Sequence, residues 1–252
     1  MSRASTVILI CMLAGTHTVS ANDTETWMDQ TGLDIQFKDG ERYGVKPEEE
    51  RLITDIIIGA EREVRGLVPA LPENIGVIVT FVDESFDYWG TPMGLNGRSD
   101  APGVVVIDIS TGFPGGISAA VNKNLSRLVF HEFHHLARGW TMTGNKFGRG
   151  IPIAAVNEGL AVVFSEQYAD GTFERLSNPE NGDLWLKEIL ALPIDANYGH
   201  WMSQHPDGRF AIGYRTGMYL VNKAMANSGK DILELSRLSP DEILGMVAAE
   251  AP

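Results

Sequence analysis

The stretch that decides the reading runs Ala119-Ala-Val-Asn-Lys-Asn-Leu-Ser-Arg-Leu-Val-Phe-His-Glu-Phe-His-His-Leu-Ala-Arg138, followed by Gly139. Val121, Leu125, Leu128 and Val129 recur at helical spacing, and Gly139 behind Arg138 marks a helix C-terminus. Within this helix, His131-Glu132-Phe133-His134-His135 is an H-E-x-x-H sequence. Histidines four apart lie ~40° apart around a helix, so both rings can address one ion from adjacent turns. Glu132 lies ~100° round from His131, close enough to reach a water on that ion without ligating it. His134 then points away, and a structural role is expected for it.

A catalytic zinc takes three protein ligands and keeps one position open. Three sources for the third ligand can be weighed. The metzincin spacing needs Gly at 138 and a ligand at 141, where this chain has Arg138 and Thr141. Asp170 would suit an aspartate-ligated variant, but it stands at a helix end beside Gly171. The favoured source is Glu158, in Ala-Ala-Val-Asn157-Glu158-Gly159-Leu-Ala-Val-Val. A carboxylate set among apolar residues on nearly every side must neutralise or find a cation. Gly159 weakens a helix interior and so predicts a close backbone approach there, one expected to bring Glu158 towards the histidines.

Three segments together carry a resemblance: His131-Glu132-Phe133-His134-His135-x-x-Arg138, Asn157-Glu158-Gly159-Leu160-Ala161 and Gly213-Tyr214-Arg215-x-Gly217. Over roughly residues 75–226 the chain resembles the YjaZ-like predicted zinc proteases, within the gluzincin group. The resemblance implies an α+β, zincin-like metalloprotease domain with a small sheet, an active-site helix and a glutamate helix. It implies His131, His135 and Glu158 as zinc ligands and Glu132 as general base. Tyr214, in the supporting Gly-Tyr-x-x-Gly element, is the favoured donor to the oxyanion, with His200 and His205 as the other candidates. Asn157 is expected to orient a ligand from behind.

Around these motifs, residues 33–45 alternate about Asp39-Gly40 and predict a hairpin. Apolar spacing predicts a helix from Pro47 to about Val64, with Glu48, Glu49 and Glu50 in its first turn. Ile75–Val82 and Val104–Ile109 read as strands, the second either as an edge strand on which a peptide could add or as a plain core strand. Tyr88–Gly103 reads as a Gly-rich loop. Pro152 opens a helix reaching Asp170-Gly171, residues 177–209 read as loop-rich, and a helix is expected from about Phe210 to Ala226. Ser239-Pro240-Asp241-Glu242 has the form of a capping box before a short last helix.

The 252 residues suffice for one large domain with a sizeable core. A formal charge of −13 repels phosphate backbones and acidic head groups, which argues against nucleic-acid or membrane-surface partners. Residues 1–21 carry Arg3, an apolar run from Val7 to Ala14 and small residues up to Ala21. They read as a signal peptide cut after Ala21, too short to remain as an anchor. Cys11, the only cysteine, would leave with it. Residues 22–252 then form one catalytic domain, with a possible second lobe from about residue 171 and a candidate pro-segment at 22–46.

The expectation is a secreted or periplasmic zinc metallopeptidase acting on peptide or protein substrate, its oligomeric state open. Two alternatives stand beside it. One is a metal-stabilised binding or chaperone-like protein without catalysis, and the other is a zinc amidase on a non-protein amide such as a cell-wall crosslink.

Overall fold

The computed structural model describes residues 26–28, 32–88, 90–170 and 176–248. The leader at 1–21 lies outside the described residues. The strands are β1 (Thr26–Met28), β2 (Leu33–Lys38), β3 (Ile75–Val82), β4 (Asp87–Tyr88), β5 (Thr91–Pro92), β6 (Leu95–Ala101) and β7 (Val104–Ser110). The helices are α1 (Gly40–Tyr43), α2 (Pro47–Leu67), α3 (Gly116–Arg138), α4 (Ile151–Tyr168), α5 (Gly182–Leu190), α6 (Tyr198–Met202), α7 (Ile212–Ser228), α8 (Ile232–Leu235) and α9 (Pro240–Ala248). This is an α+β architecture around a small mixed sheet.

The sheet runs β1-β2-β3-β7-β6, and β4 with β5 forms a separate two-stranded ladder. The three inner strands are parallel to one another, while β1 and β6 run antiparallel at the two rims. Period-two burial explains how the sheet seats its helices. Ile75, Val77, Val79 and Phe81 are buried on β3, and Leu33, Ile35 and Phe37 on β2. They pack with Ile53, Ile57 and Val64 of α2 and with Val121, Leu125 and Val129 of α3 in one apolar core. That core continues through α4 and α7 as far as Val247 in α9.

Several sequence expectations need correction. The hairpin at 33–45 is instead a core strand, β2, which pairs in parallel with β3; Asp39, at φ 63°, then turns the chain into α1. β2 carries three buried core residues, Leu33, Ile35 and Phe37. Of the two readings of Val104–Ile109 the core strand holds and the edge strand does not, because β7 lies between β3 and β6. The edge is β6, inside the stretch read as a loop: Asn96, Gly97, Ser99 and Asp100 disguise a strand whose pairing with β7 overrides weak propensity. The loop-rich reading of 177–209 likewise conceals α5 and α6.

Gly159 does make a close backbone contact, but with α7 rather than with the histidine helix. A Cβ at Gly159 would overlap the main-chain carbonyl of Gly217, whose Cα would lie 2.7 Å away. The pair of glycines lets α4 and α7 cross nearly backbone to backbone. Gly159→Ala must push the helices apart and should cost about 3 kcal/mol, the upper end for overpacking. Chemical denaturation checks this; a loss below about 0.5 kcal/mol, the size of an ordinary surface change, would contradict it.

Candidate metal centre

α3 presents His131 and His135 from successive turns, and α4 brings Glu158 opposite them. His131 Nε2 and His135 Nε2 lie 3.0 Å apart, and each is 3.2 Å from Glu158 Oε2. These three residues are the group of potential ligands found among the described residues. Two imidazole nitrogens and a carboxylate oxygen at such spacing turn lone pairs on one another, which protons can satisfy only in part. A divalent ion would satisfy all three at once. Ligand atoms about 2.0–2.1 Å from a tetrahedral centre stand about 3.3 Å apart, close to the observed triangle. The residues therefore fit a metal ion, and the N₂O donor set suits zinc.

Burial works to raise the Glu158 carboxyl, but His135 and His131 outweigh it and hold the group well below the ordinary range. Glu132, also buried, is pushed the other way. Desolvation lifts its carboxyl to about 7 against the opposing charge of His131, with Glu158 adding to the rise and the Ser99 hydroxyl countering it. Two carboxylates on neighbouring helices thus take opposite characters, one held ionised and the other able to exchange a proton near neutrality.

Three residues missed by the sequence reading complete the surroundings. Ser99 on β6 donates its hydroxyl towards Glu132, 2.8 Å from the main-chain oxygen and 3.0 Å from Oε2. Gly97 lets β6 approach α3 at this level, since a Cβ there would meet Leu128 at 2.8 Å and Glu132 Cγ at 3.1 Å. Trp140 donates its indole N–H to Glu158 Oε1 at 3.0 Å, leaving Oε2 for the histidines. None of the three had a spacing signal, because each acts across the fold and two lie in the disguised strand.

Trp140→Phe keeps the ring and deletes this bond. Loss of a hydrogen bond behind a metal ligand should weaken metal binding about 10–100-fold in a competitive chelator titration. Unchanged affinity would show that Glu158 needs no such support.

The remaining candidates divide. Asn157 is fully buried, yet its side chain serves neither histidine nor Glu158. It accepts from Arg138 Nε at 3.0 Å and donates to the Ile153 carbonyl at 2.9 Å. Arg138, also buried, donates to the Ser236 carbonyl, so the pair ties α3 to α4 and to the segment after α8. The orienting role expected for Asn157 is therefore indirect. Burial, the Arg138 charge and the neighbouring histidines keep His134 neutral, and its Nε2 lies 2.8 Å from Ser236 Oγ, a structural contact as expected.

Tyr214 stands in the first turn of α7, half-buried against an apolar cluster that Trp140 also borders. His200 is exposed, and His205 pairs with Asp207 at 2.9 Å and packs on Trp201. Asp170 is exposed beyond the end of α4 and takes no part in the ligand group.

Comparison with protein-family models, with curated proteins and with solved structures finds no match for this chain. No described helix is long and apolar enough to cross a membrane.

Proposed function

We propose that the protein is an exported zinc metallopeptidase with a zincin-like active site, as its resemblance to the YjaZ-like proteins suggests. The observation that carries this reading is the convergence of His131, His135 and Glu158 beside a buried Glu132 that belongs to no ion pair. Export rests on the character of residues 1–21.

The ion, when bound, would polarise a water molecule and the carbonyl of the bond to be cleaved. Glu132 accepts the proton of the attacking water and delivers it to the departing amine. Its raised affinity for a proton suits both halves of that task. Ser99 holds the carboxylate in place from the edge strand, and Trp140 keeps Glu158 turned towards the histidines. Tyr214 is assigned as donor to the developing oxyanion, on the strength of its Gly-Tyr-x-x-Gly setting. Substrate in extended form would add to β6, an edge strand of the sheet, through main-chain hydrogen bonds.

The test is hydrolysis of a peptide library by purified protein, with chelator and after restoring one equivalent of zinc. Chelator-sensitive cleavage that zinc restores is expected. Metal-loaded protein that cleaves no peptide would overturn the proposal and favour a binding role for the same centre.

A further inference from the structure

Outside the metal-binding triangle, a cavity of about 630 Å³ lies where α2, α3 and the segment between α8 and α9 meet. Small-molecule sites have this size, roughly 300–1,000 Å³. Its walls are largely apolar: Val68, Pro69 and Ala70 follow α2, Ala137 stands on α3, and Leu238 precedes α9. Two guanidinium groups are set among them, those of Arg138 and Arg237.

Arg138 is only 6 % exposed, yet no carboxylate among the described residues pairs with it. Asn157 and the Ser236 carbonyl take Nε and Nη1, and the Phe147 ring covers the group with its centroid 5.0 Å from Cζ. Nη2 is buried and has no hydrogen-bond partner among the described residues. Burial, with no opposing charge, pulls the guanidinium down to about 10. A buried charge is costly unless an opposite charge and hydrogen bonds offset the lost hydration. The last turn of α3 offsets part of that cost, but it supplies no acceptor to Nη2. An orphaned buried N–H calls for one.

The carboxylate of the cavity wall, Glu242, is exposed and engaged in its own helix cap. Its Oε2 accepts from the Ser239 N–H and hydroxyl, each at 2.8 Å. Two guanidinium charges against one carboxylate leave the wall positive, in a chain whose formal charge is −13.

We infer that this cavity binds a small organic carboxylate with an apolar body, its charged end between Arg138 and Arg237 and its carbon chain along Val68, Ala137 and Leu238. The site is separate from the three metal ligands and stands whether or not the protein hydrolyses peptides. Guanidinium is the side chain best matched to a carboxylate, through short charge-assisted hydrogen bonds. One oxygen accepts from Arg138 Nη2 once the half-buried Phe147 ring, which lines the same cavity, turns aside; the other accepts from the exposed Arg237. A phosphate would use the charged end and leave the apolar walls without contact.

Hexanoate is the probe, titrated calorimetrically into zinc-loaded protein beside 1-hexanol and inorganic phosphate. A single saturable hexanoate site is expected, with each comparison compound at least about tenfold weaker, the worth of one charged hydrogen bond or of a few buried methylenes. Hexanol or phosphate binding as tightly as hexanoate, or no saturable hexanoate uptake, overturns the inference.

Arg138→Met should abolish the site. Because that change also breaks the tie to Asn157, Ala70→Trp carries the test if the methionine variant fails to fold. It fills the cavity from an exposed wall position and touches none of the Arg138 bonds. Folded Ala70→Trp protein should bind hexanoate at least about tenfold more weakly, and wild-type affinity in it overturns the inference. Glu158→Ala, which lacks a metal ligand, should take up hexanoate as wild type does. Loss of uptake there would put the carboxylate on the metal ion and overturn the assignment to this cavity. In nitrogen-15 spectra, hexanoate should shift the Arg138 Nε–H and Leu238 amide signals and leave the Trp140 indole signal in place; the reverse pattern refutes the site.

Discussion

Glu158→Ala should release the metal. Purified wild type is expected to carry one equivalent of zinc, and the variant close to none after dialysis against a mild chelator. Structural zinc sites are worth about 10–16 kcal/mol over four ligands, so one ligand of three represents several kcal/mol, or at least about a thousandfold in affinity. Nothing nearby replaces the lost oxygen, because Glu132 is turned to Ser99 and Asp170 stands outside the ligand group. The histidines keep their helical placement, so folding should survive and circular dichroism should match wild type. A variant that retains its zinc would show that the ion, if any, sits elsewhere.

The second large effect separates metal binding from chemistry. Glu132→Gln preserves shape and a partner for the Ser99 hydroxyl, but it removes the group that takes a proton. Zinc content should be unchanged while peptide turnover falls about 10³–10⁴-fold, the upper part of the usual span for a lost general base. Retention of more than a tenth of the activity would mean that Glu132 is not the base. Loss of zinc together with activity would make it a ligand, contrary to its hydrogen bond with the β6 serine.

The H-E-x-x-H sequence and the buried acid of the second helix were legible because both depend on local spacing and local polarity. Helical period puts His131 beside His135 whatever the rest of the chain does, and an acid flanked by Val156 and Leu160 declares itself buried. α2, α3, α4 and α7 were legible for the same reason. What stayed hidden depends on contacts distant in sequence. The β6 strand contains the turn formers Asn96, Gly97, Ser99 and Asp100, and only its ladder with β7 makes it a strand.

Because β6 was hidden, Val104–Ile109 stayed open to an edge reading that belongs to its neighbour, and Ser99 and Gly97 were lost with it. Gly159 shows the other limit. Its need for a close approach was readable, but the partner, Gly217 on α7, was not. Trp140 sits just past a helix cap, where no periodicity applies.

The most direct measurement is a crystal structure of the protein purified without chelator, with data collected on both sides of the zinc absorption edge. The account predicts one anomalous peak about 2.0–2.2 Å from His131 Nε2, His135 Nε2 and a Glu158 carboxylate oxygen, with a fourth position facing Glu132. A full-occupancy zinc bound by other residues, or a zinc-saturated crystal with no peak among these three side chains, would contradict it.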